Sequence, residues 1–317
     1  MELRKVGRTG LNISRIGLGT MTWGRDTDEH EAADQARAFL DAGGNFFDTA
    51  AVYGAGDSER VIGGLIGSLM KREDVVIATK GGIVFQDGVR MVNTSRGALL
   101  SELDASLKRL GTDYVDLWQV HTWDSQTPLE DTLSALDTAY QTGRARYVGI
   151  SNFSGWQSAR AITQQESVAT KAPISTTQNE YSLLNRSVEE EVLPCASQLS
   201  VGFLAWSPLG RGVLTGKYRG GVPSDSRGAS PHFAGFVDPY LPDKSIKANR
   251  IVEAVQTAAD GLGYSPLEVA LAWVRDAAGV TSAIVGARTG AQLRGILRSE
   301  EITLPDVVRE ALTEVSS

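Results

Sequence analysis

The chain has 317 residues, 42% of them hydrophobic and 22% charged, which excludes a disordered protein and supplies apolar residues enough for a large core. Its formal net charge of −7 repels nucleic acid and anionic lipid, so any anion it binds has to meet a local cluster of cations. One cysteine, Cys195, excludes an internal disulfide, and the three histidines (His30, His121 and His232) form no His-x-x-x-His pair, which argues against a catalytic metal.

The first residues hold no short apolar core before a cleavage site, and no run of 18 apolar residues occurs anywhere, so a soluble, cytoplasmic protein is expected. On that expectation the sequons at Asn12, Asn93, Asn152 and Asn185 are chance matches. Lys5–Val6, a turn over Gly7–Gly10, and Leu11–Ser14 read as a hairpin. After it, short β-branched or apolar runs alternate with stretches of helical period. Strands are expected at Arg15–Gly19, Asn45–Asp48, Val75–Lys80, Tyr114–His121, Arg146–Ser151, Thr176–Asn179, Gly202–Ser207 and Ser282–Gly286. Helices fit at Glu29–Ala42, Ser58–Leu69, Arg96–Leu110, Leu129–Thr142 and Val188–Leu199. Ser58, Thr127-Pro128 and Ser265-Pro266 are start signals; Gly43-Gly44, Gly111 and Gly143 are stops.

Eight strand–helix alternations predict an α/β protein, a closed (β/α)8 TIM barrel, rather than an open doubly wound sheet. Gly17-x-Gly19 lacks the third glycine of a dinucleotide fingerprint. Residues Gly210–Lys244, after the seventh strand, are too long for a routine connection and therefore suggest function. Ile246–Leu262 and Pro305–Val315 read as extra helices. No low-complexity linker divides the chain, so residues 1–317 are expected to form one domain.

In such a barrel the strand ends meet at one rim. Those ends carry Asp48, Lys80, His121, Ser151 with Asn152, Gln178, Trp206 with Ser207, and Gly286 with Arg288. Tyr53 follows Asp48 in a loop that can fold over the mouth. Lys80, paired with Asp48, is expected to lower the phenol's pKa, and His121 to hold a carbonyl oxygen beside Tyr53. That constellation suits carbonyl reduction, with Tyr53, Lys80, Asp48 and His121 as the catalytic group. Taken singly, each residue has a plainer reading: a turn cap, a loop tyrosine, a rim lysine, a core histidine.

A series of motifs then carries a family resemblance over nearly the full length. It runs through Gly17-Leu18-Gly19-Thr20, Phe47-Asp48-Thr49-Ala50-x-x-Tyr53-Gly54, Thr79-Lys80, Asp113-Tyr114-Val115-Asp116-Leu117 to His121, and Gly149-Ile150-Ser151-Asn152-Phe153. It continues with Gln178-Asn179-Glu180-Tyr181, Trp206-Ser207-Pro208-Leu209-Gly210-Arg211-Gly212-x-Leu214-Thr215-Gly216-Lys217 and Ile284-Val285-Gly286-Ala287-Arg288-Thr289. The chain resembles the aldo-keto reductases, in the branch that includes bacterial members and potassium-channel β subunits. The resemblance implies Tyr53 as acid and NADPH as cofactor. Ser151, Asn152 and Gln178 would bind the carboxamide, and Trp206 would stack on the ring. The loop carrying Ser207, Pro208, Leu209, Gly210 and Gly212 would lie along the pyrophosphate. Lys217, Arg227 and Arg288 are expected to take phosphate, with Thr20, Met21, Asp48, Gly286 and Gln292 completing the cofactor site. One departure stands out: after Gln292 come Gly295 and Ile296 where the family commonly places an acid and an asparagine that contact adenine.

Met21, Trp23, Phe85 and Trp123, on rim loops, are expected to wall the substrate pocket together with Tyr53 and His121. The expected partner is a small aldehyde, ketone or sugar-derived carbonyl, not nucleic acid or membrane; monomer and homo-oligomer both stay open. Arg219–Tyr240 reads as a clamp hinged at Gly220-Gly221. Two other classes compete. A redox-sensing subunit is disfavoured by His121, which the channel β subunits tend to lack. An aldolase using Lys80 as a Schiff-base amine is disfavoured by Asp48 and Tyr53, which keep that lysine charged.

Overall fold

A computed structural model describes residues 1–317 except 87, 225, 242 and 243. Positions 225, 242 and 243 of the long loop after the seventh barrel strand therefore lie outside the described residues.

The chain opens with an antiparallel hairpin, β1 (Leu3–Lys5) with β2 (Asn12–Ser14). The first strand begins and ends earlier than expected, the second begins one residue later and ends at Ser14 as expected, and the turn takes in Val6 and Leu11. Val6 and Ile13 are fully buried against Phe46, Val76, Leu117, Leu204 and Ile284, so the hairpin stoppers the lower end of the barrel with apolar surface.

The barrel follows in chain order: β3 (Ile16–Gly19), α1 (Glu29–Asp41), β4 (Phe46–Asp48), α2 (Asp57–Leu65), β5 (Val76–Gly81), a second hairpin of β6 (Ile83–Gln86) and β7 (Val89–Val92), α3 (Arg96–Leu110), β8 (Val115–Val120), α4 (Leu129–Gln141), β9 (Ala145–Ser151), α5 (Gly155–Glu166), β10 (Ile174–Glu180), α6 (Val192–Gln198) and β11 (Gly202–Trp206). After the long loop come α7 (Ile246–Leu262), α8 (Pro266–Arg275), β12 (Val280–Val285), α9 (Gly290–Leu297) and α10 (Asp306–Val315). The eight parallel strands close in the order β3-β4-β5-β8-β9-β10-β11-β12. Each lies where the sequence places it, with its ends within two residues.

Several local expectations change. Ser58 does not cap α2: the helix starts at Asp57, and the Ser58 hydroxyl turns into the protein to contact Thr20 and Thr49. That helix ends at Leu65 rather than Leu69, where Ile66 leaves helical geometry ahead of Gly67 at a φ of 82°. Pro194 confines the expected Val188–Leu199 helix to Val192–Gln198, because proline is accommodated only in a first turn. The hairpin β6–β7 was not foreseen at all. By contrast, Ser265 caps α8 as a full capping box with Glu268.

Strand periodicity decides what reaches the mouth. Side chains alternate between the barrel interior and the helix layer. On β4, Phe46 and Asp48 point inward and Phe47 outward; on β5, Val76, Ala78 and Lys80 point inward while Thr79 faces α2 and bonds Glu59. Among the described residues no helix is long and apolar enough to cross a membrane.

Candidate active site

At the C-terminal mouth, Lys80 is buried with its Nζ 2.6 Å from Asp48 Oδ2 and 2.9 Å from the Thr49 carbonyl. The other carboxylate oxygen of Asp48 accepts from Gln178 Nε2 at 2.9 Å. A buried ion pair is tolerable only when its remaining hydrogen-bonding capacity is filled in this way. Tyr53 comes over this pair because the chain folds back tightly after it: Gly54, Ala55 and Gly56 all have positive φ, and Ala55 carries the strain of that conformation. The loop is fastened by Ala51 N–H to the carbonyl of Lys80 and Tyr53 N–H to Ala50. Lys80 Nζ sits 5.3 Å from the Tyr53 ring centre, and the ring meets His121 edge-on at 5.8 Å. The buried Ser58 hydroxyl donates to the Thr20 carbonyl, which ties α2 to this mouth.

Burial sets the protonation states. It pushes the Tyr53 phenol above its ordinary pKa, and the opposing pull of the Lys80 ammonium does not reverse this. That corrects the sequence expectation of a lowered value. Burial pulls Lys80 down, but the Asp48 carboxylate and the Tyr53 phenol together outweigh it, so the lysine stays charged. Burial, with the charges of Lys80 and Arg90, holds His121 well below the ordinary histidine value, so its imidazole is neutral. Its Nδ1 is buried without a hydrogen-bond partner among the described residues.

The expected carboxamide group is assembled but already tied together. Ser151 Oγ donates to the Gln178 carbonyl, and Asn152 Nδ2 donates to the His121 carbonyl and to Ser151 Oγ. Asn152 Oδ1 accepts from Trp206 Nε1 at 3.1 Å, which fixes the plane of the indole at the cleft wall.

The mouth opens into a cleft of about 1130 Å³. A site for one small molecule occupies roughly 300–1,000 Å³, so this one has room for more. Thr20, Met21, Ser207, Pro208, Leu209, Gly212, Lys217, Arg227, Gly286, Arg288 and Gln292 line it as expected. Gly210 does not; it packs towards Leu184. Phe85 lines the cleft, but Trp23 and Trp123 do not, contrary to expectation. Trp23 is fully buried against Phe47, with its indole N–H on Gln35 Oε1. Trp123 packs edge-on between Phe153 and Trp156. Both serve apolar contacts behind the rim, where more surface is buried.

Several lining residues escaped the sequence reading: Arg25, Arg90, Thr122, Phe233 and Phe236. Arg211, quoted only within a motif, pairs with both oxygens of Glu180, bonds the Phe236 carbonyl and lies over the rings of Phe236 and Tyr240. It thereby anchors the long loop to β10. On the other side, Ser230 and His232 hold Asp26, at 2.9 and 3.2 Å, and Arg25 lies over Phe233.

Among the described lining residues Asp48 is the sole carboxylate, and Lys80 neutralises it. Lys217 and Arg227 line the cleft with no carboxylate in ion-pair range among the described residues. Arg227 and Arg288 repel each other, and a Cβ on Gly286 would lie only 3.6 Å from the Arg227 guanidinium. Like charges gathered at one end of a cleft fit a multiply charged anionic ligand.

Fold and site together define a (β/α)8-barrel protein whose cationic mouth gathers a phenol, an ion pair and a neutral imidazole. The chain belongs to the aldo/keto reductase family, whose profile matches residues 15–317, and is an oxidoreductase by that membership. It is 37% identical to an uncharacterized oxidoreductase of Bacillus subtilis (strain 168), over 99% of this chain and 96% of that one. It is 36% identical to a probable voltage-gated potassium channel subunit beta of Oryza sativa subsp. japonica, over 100% and 96%. With the L-glyceraldehyde 3-phosphate reductase of Escherichia coli (strain K12) it shares 34%, over 92% and 86%.

Proposed function

We propose that the chain, acting as one unit, is an NADPH-dependent reductase of small aldehydes, ketones or sugar-derived carbonyls, with Tyr53 as general acid. The observation that carries this reading is the half-buried Tyr53 over the buried Lys80–Asp48 pair and beside neutral His121, at the foot of a cleft with Lys217, Arg227 and Arg288 along its far side. The relative named for reducing a short sugar phosphate is consistent with a small carbonyl.

The residues present fit the cofactor. Lys217, Arg227 and Arg288 would take its phosphates, the 2′-phosphate included. Trp206, its plane set by Asn152, offers the nicotinamide a flat face. Ser151, Asn152 and Gln178 border the position of the carboxamide, while Thr20, Met21, Gly286 and the 207–212 loop shape the groove. Bound NADPH would supply the hydride that reduces the carbonyl carbon.

The chain's own groups do the rest. A neutral imidazole at His121 donates one N–H to the carbonyl oxygen without adding charge to the site. Tyr53 donates to the same oxygen and delivers its proton as the oxygen becomes an alkoxide. A phenol held above its usual pKa keeps that proton until it is needed. The Lys80 ammonium, held charged by Asp48, then stabilises the phenolate left behind.

Arg288→Ala is expected to raise the Kd for NADPH by more than that for NADH, because the lost guanidinium faces the phosphate that only NADPH carries. Fluorescence titration with both cofactors checks this, and an equal loss for both would remove Arg288 from 2′-phosphate recognition.

The 219–240 segment acts as a strap over the cofactor, with Gly220-Gly221 as its hinge. Asp26→Ala removes the two hydrogen bonds that hold Ser230 and His232. At about 1 kcal/mol each, NADPH should leave about thirtyfold faster in a stopped-flow chase. An unchanged release rate, with protease sensitivity of the strap unaffected by NADPH, would remove it from cofactor retention.

The relative named as a channel subunit favours a second reading, a nicotinamide-binding redox sensor. Steady-state turnover of 4-nitrobenzaldehyde with NADPH separates the two; binding without turnover would favour the sensor.

A further inference from the structure

The hairpin β6–β7 leaves the barrel directly after the strand that carries Lys80, and its register decides which side chains look into the mouth. Phe85 pairs with Arg90, and Ile83 with Val92. Directly opposed residues in an antiparallel ribbon share a face. Ile83, Phe85 and Arg90 all line the cleft, Phe85 and Arg90 at its open side, whereas Val84, Val89 and Met91 alternate with them and do not line it.

Arg90 is a cation that the cofactor does not account for. The phosphate-facing cations lie by β11 and β12, and β5 and β8 stand across the closed barrel from those strands. Arg90 lies on the β5 side, near enough for its charge to bear on the His121 imidazole. It makes no ion pair or hydrogen bond with any described residue. Asp48, the one carboxylate among the described lining residues, is taken by Lys80 and Gln178. The cleft thus has two cationic poles, one beside the cofactor and one beside the place where the carbonyl reacts. A guanidinium offers a planar fork suited to a carboxylate or phosphate, and a cleft with low-dielectric walls concentrates its field.

Building on the reductase reading, we propose that Arg90 is a specificity-determining residue that selects carbonyl substrates bearing an anionic group, carboxylate or phosphate, at the end away from the carbonyl. Phe85, its cross-strand partner, supplies apolar surface for the short chain or ring between the two groups.

Matched neutral and anionic probes test this: 4-nitrobenzaldehyde against 4-carboxybenzaldehyde, and glyceraldehyde against glyceraldehyde 3-phosphate. The wild-type enzyme should favour at least one anionic member by about tenfold or more in kcat/KM, as a hydrogen-bonded charge pair allows. Which pair shows the preference tells carboxylate from phosphate. In Arg90→Ala that ratio should collapse, mainly through KM, and Arg90→Lys should recover part of it by keeping the charge without the fork. A wild-type ratio near one for both pairs, or an equal loss on both members of a pair in Arg90→Ala, would overturn the proposal. Calorimetric titration of the NADPH-loaded protein with benzoate and with glycerol 3-phosphate reads the site without turnover. Binding of either that is lost in Arg90→Ala supports it, and binding of neither, or equal binding in the variant, counts against it. Absence of all aldehyde turnover would instead strike the reductase reading, leaving the titration to decide the anion site.

Discussion

Tyr53→Phe should bind NADPH with wild-type affinity and lose about 10²–10⁴-fold in the rate of carbonyl reduction, the contribution expected of a positioned general acid. The substitution removes one oxygen and keeps the ring, so the edge contact with His121 at 5.8 Å and the packing over Lys80 persist. The pH dependence follows from the direction of the phenol's shift. Its pKa is raised by burial, so the protonated form that reduction requires is present through neutral and mildly alkaline pH. Reduction by the wild type should therefore hold steady over that range, while oxidation of the alcohol, which requires the phenolate, should climb as pH rises. Steady-state rates in both directions check this. Undiminished turnover by the phenylalanine variant would exclude Tyr53 as the proton donor.

Lys80→Met should cost both stability and activity. It leaves the buried Asp48 carboxylate with Gln178 and without a counter-charge. Breaking a buried pair from one side costs about 3–5 kcal/mol, because the surviving charge keeps its desolvation penalty. The phenol also loses the cation that opposes the effect of burial, so proton transfer through it becomes harder. The double variant Asp48→Asn/Lys80→Met separates the two roles. It should regain much of the stability, since no buried charge is stranded, yet remain inactive, since nothing stabilises the phenolate. Urea denaturation followed beside turnover reads both quantities. A double variant that recovers activity along with stability would make the pair purely structural.

Local sequence determined the barrel and much of its mouth. The alternation of short strands and amphipathic helices specified eight βα units, and the two-residue period along β4 and β5 put Asp48 and Lys80 on the inner face at the ends of neighbouring strands. Both signals are short-range, so they survive in a one-dimensional reading. Tertiary structure decided whatever depends on which distant segments meet. Trp23 and Trp123 belong to rim loops, yet they turn from the cleft because Phe47, Phe153 and Trp156 offer them more apolar contact. Ser58 looks like a helix cap and serves instead as a buried link to Thr20 and Thr49. The sign of the phenol's shift depends on how completely packing removes water from Tyr53, which the identity of its neighbours does not reveal. Arg90 acquires meaning only when the β6–β7 register turns it inward beside Phe85. Burial and long-range contact are properties of the assembled barrel, and no periodicity in the chain encodes them residue by residue.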